Sequence, residues 1–135
     1  MTTEDLDGLV RELRATGGDT ASVEVKSAAG GLPASISSTL SALANLPGGG
    51  LVILGLDERT GFRPVPLADP QALKQGLAAK ARSFSPPVRL TIEDGMVDGA
   101  PVIVARVHEC DSSAKPCRIA SSGESFLRGY DGDYR

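Results

Sequence analysis

Residues 22–58 read SVEVKSAAGGLPASISSTLSALANLPGGGLVILGLDE, and how this stretch is read decides the fold. Val23 and Val25 alternate with Ser22, Glu24 and Lys26, the period of a half-buried strand. A glycine-bearing turn follows, and Pro33 suits the first turn of a helix. Ile36, Leu40 and Leu43 then recur at helical spacing, with Ser35, Ser38 and Asn45 as an uncharged polar stripe. A polar face without charge predicts cover by another element or by a partner. Pro47 and three glycines end the helix. LVILGL (51–56) is apolar on both faces, as in a strand at the centre of a sheet. No charged residue lies between Lys26 and Asp57, so the stretch predicts a packed β-α-β centre with its chemistry confined to the two ends.

Working outward, residues 4–15 predict a first helix, with Leu6, Leu9, Val10 and Leu13 inward and Glu4, Asp5 and Asp7 at its positive end. Gly17 and Gly18 stop it, and Arg11, Glu12 and Arg14 are expected to be merely solvated. Downstream, Asp69 and Pro70 open a third helix whose inner stripe is Leu73, Leu77 and Ala81. Residues 88–94 and 101–109 form a hairpin pattern, and 117–120 and 125–128 predict two further short strands around a turn at 121–124. The expected class is α+β: helices on a mixed, largely antiparallel sheet with one early β-α-β crossover, in a single domain spanning 1–135.

Composition narrows the function classes. The chain has 135 residues, 41% hydrophobic and 23% charged, with a net charge of −3. Bulk charge therefore does not mark it as a basic nucleic-acid module, although a local basic patch is compatible with it. No apolar run approaches the ~20 residues that span a bilayer, and the acidic start is unlike a signal peptide, so no membrane and a cytoplasmic location are expected. Two cysteines make no disulfide framework.

Four groups of residues carry chemistry worth weighing. The Ala28–Leu32 loop sits where an anion would meet a helix N-terminus, but it lacks the Gly-Lys-Ser/Thr of a nucleotide loop, and its plainer reading is a tight turn. Asp19, Glu24, Asp57 and Glu58 stand at strand ends. Brought together they would repel unless a cation lay between them, and Mg²⁺ or Mn²⁺ there would activate water for phosphodiester cleavage. The plainer reading pairs Glu24 with Lys26 and leaves Asp57 capping a turn. His108, Cys110 and Cys117 make three zinc donors where a structural site takes four, and read as ordinary reduced cysteines beside a hairpin. Lys115, Arg118, Phe126, Arg128, Tyr130, Tyr134 and Arg135 interleave positive charge with aromatic rings, the composition of a single-strand-binding surface, although Glu124, Asp131 and Asp133 dilute it and the plainer reading is a solvated hairpin with Phe126 in the core.

Taken together, SVEVKSA (22–28), ISSTLSALANLPGGGLVILGLDE (36–58), SPPV (85–88), KPCR (115–118) and SFLRGYDGDYR (125–135) resemble the Schlafen AlbA-type domain, also called divergent AlbA. The resemblance implies an α/β fold and nucleic-acid binding, commonly at the front of a longer bacterial regulator or ATP-binding protein. It also implies that the chain continues beyond Arg135. Some animal relatives are metal-dependent endoribonucleases with three carboxylates. Glu24 matches the second of these and Asp57 or Glu58 the third, while Asp19 replaces the Glu usual at the first. The expected function is therefore nucleic-acid binding, to DNA or RNA, by Lys26, Lys115, Arg118, Arg128, Tyr130 and Arg135, with no cofactor required. A Mg²⁺- or Mn²⁺-dependent endoribonuclease using Asp19, Glu24, Asp57 and Glu58 is the enzymatic alternative. A protein-interaction or oligomerisation module, a homodimer among its forms, is the third.

Overall fold

The computed structural model describes residues 1–18, 20, 22–128 and 133–134, with only the backbone of 127, 128, 133 and 134. Three helices and a mixed sheet give the α+β architecture expected from the sequence. The central sheet has the order β1-β2-β7-β6. Strand β1 (Val23–Lys26) runs parallel to β2 (Gly50–Leu54), and the helix between them, α2 (Ile36–Ala44), makes the crossover. Strands β7 (Ala100–Val107) and β6 (Leu90–Val97) are antiparallel neighbours, so one ladder is parallel and two are antiparallel.

Both faces of this sheet are closed, which is why β2 is apolar on both sides and wholly buried. On one face Val23, Val25, Leu51, Ile53, Val102 and Val104 pack against Leu6, Val10 and Leu13 of α1 (Thr3–Thr16). On the other, Val52, Leu54, Ile103, Ala105 and Val107 meet Ile36, Leu40 and Leu43 of α2, together with Leu73, Leu77 and Ala81 of α3 (Pro70–Arg82). Each fully buried leucine contributes about 1.5–3 kcal/mol of transfer free energy. Thr2 and Asp5 form a reciprocal capping box at the start of α1, and Asp69 caps α3 with Pro70 in its first turn.

The glycine run before β2 has a packing role as well as a turn role. A Cβ on Gly49, whose φ is 68°, would stand 2.1 Å from the Val107 carbonyl oxygen, and one on Gly50 would stand 2.6 Å from that of Ser22. Only glycine lets β2 enter between β1 and β7 at this closeness.

Three sequence expectations change. Arg14 is not merely solvated: its guanidinium donates to the Gly61 and Phe62 carbonyls and pairs with Asp98 at 2.7 Å, tying α1 to a loop and to the hairpin turn. The short strands near the C-terminus exist, but they do not pair with each other. Strand β8 (Arg118–Ile119) pairs with β5 (Phe84–Ser85), directly after α3, and β9 (Leu127–Arg128) pairs with β10 (Asp133–Tyr134). The LVILGL run also divides, with β2 ending at Leu54 and β3 (Leu56–Asp57) turning aside at Gly55 to pair with β4 (Arg63–Pro64).

Candidate functional site

At the acidic end of the crossover, the alternation of β1 places Glu24 and Lys26 beside Val52 and Leu54, on the sheet face that carries α2. The Lys26 ammonium lies 2.9 Å from Glu24 Oε1 and donates to Ser35 Oγ at 2.8 Å. Both side chains are largely covered, at 13% and 17% exposed for Glu24 and Lys26, so each charge compensates the other in a partly desolvated setting. Asp57 and Glu58 are engaged differently. Asp57 accepts the Arg59 amide at 3.0 Å and caps the 3-10 turn Glu58–Thr60, while Glu58 stands against Gly18. Glu24 is opposite Val52, whereas Asp57 belongs to β3, which leaves the line of β2 at Gly55 and packs against β1.

Among the described residues no group of three or more His, Cys, Asp or Glu side chains is placed to hold a metal ion. Glu24, Asp57 and Glu58 are thus not gathered, and Asp19 lies outside the described residues. The Ala28–Leu32 loop is a tight turn, closed by the Gly31 amide on the Ala28 carbonyl at 3.1 Å. His108 bonds Thr91 Oγ1 through Nε2 at 2.7 Å, and both cysteines are free and buried.

The basic residues of the C-terminal segment come together differently. A groove of about 570 Å³ runs along the β5–β8 ribbon, lined by Pro86, Lys115, Pro116, Arg118, Ile119 and Gly123 among others. Arg118 is exposed beside Ser85, its register partner, and has no ion pair among the described residues. Lys115 pairs with Glu109 at 2.7 Å. That contact, with the Gly48 amide at 2.9 Å, holds the Glu109 carboxyl below the usual carboxylate range. Lys80 and Arg82, both exposed, end α3 just ahead of β5. They were not singled out in the sequence, because nothing local joins the end of α3 to the C-terminal segment; the pairing of Ser85 with Arg118 does. Arg128 as a side chain, and Tyr130 and Arg135 altogether, lie outside the described residues.

Helix α2 fixes the groove in place. Ser41 Oγ donates to the Cys117 carbonyl at 2.9 Å and accepts the Phe126 amide at 3.0 Å. Asn45 accepts the Cys117 amide at 2.7 Å and donates to the Phe126 carbonyl at 3.0 Å. Residues 117–126 are thereby strapped across the helix. The expected cover of an uncharged polar face is found here for Asn45, and it comes from the chain itself. Ser41 carries as many of these bonds, although the stripe read from the sequence omitted it.

The comparisons with known proteins agree with this architecture. No curated protein matches the chain. Among solved structures, the N-terminal domain of a protein related to the ATP-dependent DNA helicase RecG, from Nitrosomonas europaea, is 31% identical. The match has a TM-score of 0.72 and covers 100% of this chain and 88% of that one. The DIP2311 protein from Corynebacterium diphtheriae shares the fold at 22% identity and a TM-score of 0.59, over 96% of this chain and 26% of that one. The Schlafen, AlbA_2 family model matches residues 19–135. With that match running from the approach to β1 through the strap to the last residue, the chain belongs to the Schlafen AlbA_2 family.

Proposed function

We propose that this domain binds nucleic acid along the β5–β8 groove, with Arg118 as the principal phosphate contact and Lys115 and Arg82 beside it. The observation that carries the reading is the exposed Arg118, which has no ion pair among the described residues and lines a groove that Lys115 also lines. Family membership and the likeness to the N-terminal domain of a RecG-related protein support the same partner class. A local patch of this kind is compatible with a net charge of −3, because phosphate contact depends on nearby charge more than on the total. Lys26 is set aside as a contact because, unlike Lys115, it does not line the groove; its ammonium is held by Glu24 and Ser35. A role within a bacterial regulator is part of the proposal, and DNA and RNA are both admitted as ligands.

Labelled single- and double-stranded DNA and RNA oligonucleotides at low salt provide the test. Binding should weaken with rising salt, and Arg118→Ala should lower the salt slope by about 1. No retardation at high micromolar protein would sink the proposal. The endoribonuclease alternative would need Glu24 freed from Lys26. Incubation with tRNA and Mn²⁺ is expected to leave the RNA intact, and cleavage that Glu24→Ala abolishes would establish the enzyme instead.

A further inference from the structure

The two cysteines are held against one another by a single helix end. The Cys110 amide donates to the Ala44 carbonyl at 2.7 Å, and the Cys117 amide donates to Asn45 Oδ1, also at 2.7 Å. Consecutive residues of α2 and its cap thus anchor both backbones. The Cys117 thiol donates to the Pro86 carbonyl at 3.1 Å, and Cys110 belongs to the same buried cluster. A cavity of about 180 Å³ is lined by both cysteines, together with Pro86, Val88, Arg89 and His108. Each water takes ~30 Å³ of liquid volume, so a peroxide-sized molecule fits. The intervening segment, residues 111–116, carries Lys115, and Arg118 follows immediately.

We propose that Cys110 and Cys117 are an oxidation site, converted by hydrogen peroxide into an intramolecular disulfide that closes the loop bearing Lys115. Cys110 is 9% exposed and Cys117 is fully buried, so Cys110 meets the oxidant first. Its thiolate attacks the O–O bond, taking one oxygen as a sulfenic acid, and the other oxygen leaves as water after collecting the thiol proton. Cys117 then attacks the sulfenic sulfur. The S–S bond forms, a second water leaves, and the peroxide has accepted both electrons. Burial and the neighbouring Cys110 push the Cys117 thiol up to about 12, which keeps it protonated while Cys110 reacts. A consequence for ligand binding rests on the nucleic-acid reading: the closed loop would restrain Lys115 at one end of the groove and so change affinity.

The purified chain should be treated with hydrogen peroxide, then denatured, alkylated and weighed intact. The expected product has lost two hydrogens, takes up no alkylating agent, remains a monomer and reverts with dithiothreitol. Cys117→Ser should instead leave a Cys110 sulfenic acid that dimedone traps. Two freely alkylated thiols after excess peroxide would overturn the site as an inert core pair, and so would an intermolecular disulfide. Because mass is read without any ligand, the outcome is independent of whether the reduced protein binds oligonucleotides. If it binds and the disulfide leaves affinity unchanged, the coupling to the groove is overturned.

Discussion

The two faces of the central sheet are closed by different physical means. On the α1 face the seal is apolar: Leu6, Val10 and Leu13 meet strand valines and isoleucine, and Arg14 adds a clasp at the rim. On the opposite face α2 and α3 supply a similar apolar layer, but α2 is covered again from outside by the strap at 117–126. That outer seal consists of hydrogen bonds from Ser41 and Asn45 to backbone groups. Apolar seals tolerate sliding and substitution. Polar seals are directional, so they place a segment in one position and make it vulnerable to a single deletion.

Substitutions on each face test that contrast. The largest effect is expected from cavity formation: Leu40→Ala and Leu13→Ala should each cost about 2–5 kcal/mol in urea denaturation, alike on the two faces. Equal costs would confirm that both inner layers are ordinary core, and a cost below 1 kcal/mol at either, on the scale of a surface change, would break the picture.

Asn45→Ala should cost about 1–3 kcal/mol, because buried backbone groups of Cys117 and Phe126 lose their partner. Its signature is regional. Hydrogen exchange should accelerate across 117–126 while the amides of α1 stay protected, and uniform acceleration would mean that the strap is not a separate seal.

Alkaline pH sharpens the comparison further. The Cys117 thiol is pushed from its ordinary value near 9 up to about 12, so the unfolded chain releases the proton first as pH rises. Stability is therefore fully present below about 9 and is lost between about 9 and 12. The loss should amount to about 1 kcal/mol by pH 10. Cys117→Ala should remove that fraction from the pH profile of urea midpoints. An unchanged profile would show that the thiol is not shielded as the strap requires.

The smallest effect belongs to Arg14→Ala. Its ion pair with Asp98 is exposed, so the cost should be about 0–1 kcal/mol, with faster exchange confined to the C-terminal turn of α1.

The elements followed from local pattern because their causes are local. Leucines at helical spacing, Asp69 ahead of Pro70, and a run apolar on both faces each state their environment within a few residues. The pairing of Glu24 with Lys26 was legible for the same reason, since alternate strand residues share a face. The placement of the acidic ends was not: where Asp57 stands relative to Glu24 depends on the pairing of β1 with β2 and on the turn at Gly55 that sends β3 to β4.

The amino-acid sequence by itself determined the class, the crossover, the inner faces of three helices and the family, because burial and backbone geometry write themselves as short-range periodicity. Only the tertiary structure decided that Arg118 joins Ser85, that Ser41 and Asn45 grip the strap, and that Cys110 meets Cys117 over one helix end. Those contacts join Ser41 to a residue 76 positions away and Phe126 to one 85 positions away. Hydrogen bonds across such spans leave no periodic trace, since any serine or asparagine reads alike until its partner is brought beside it.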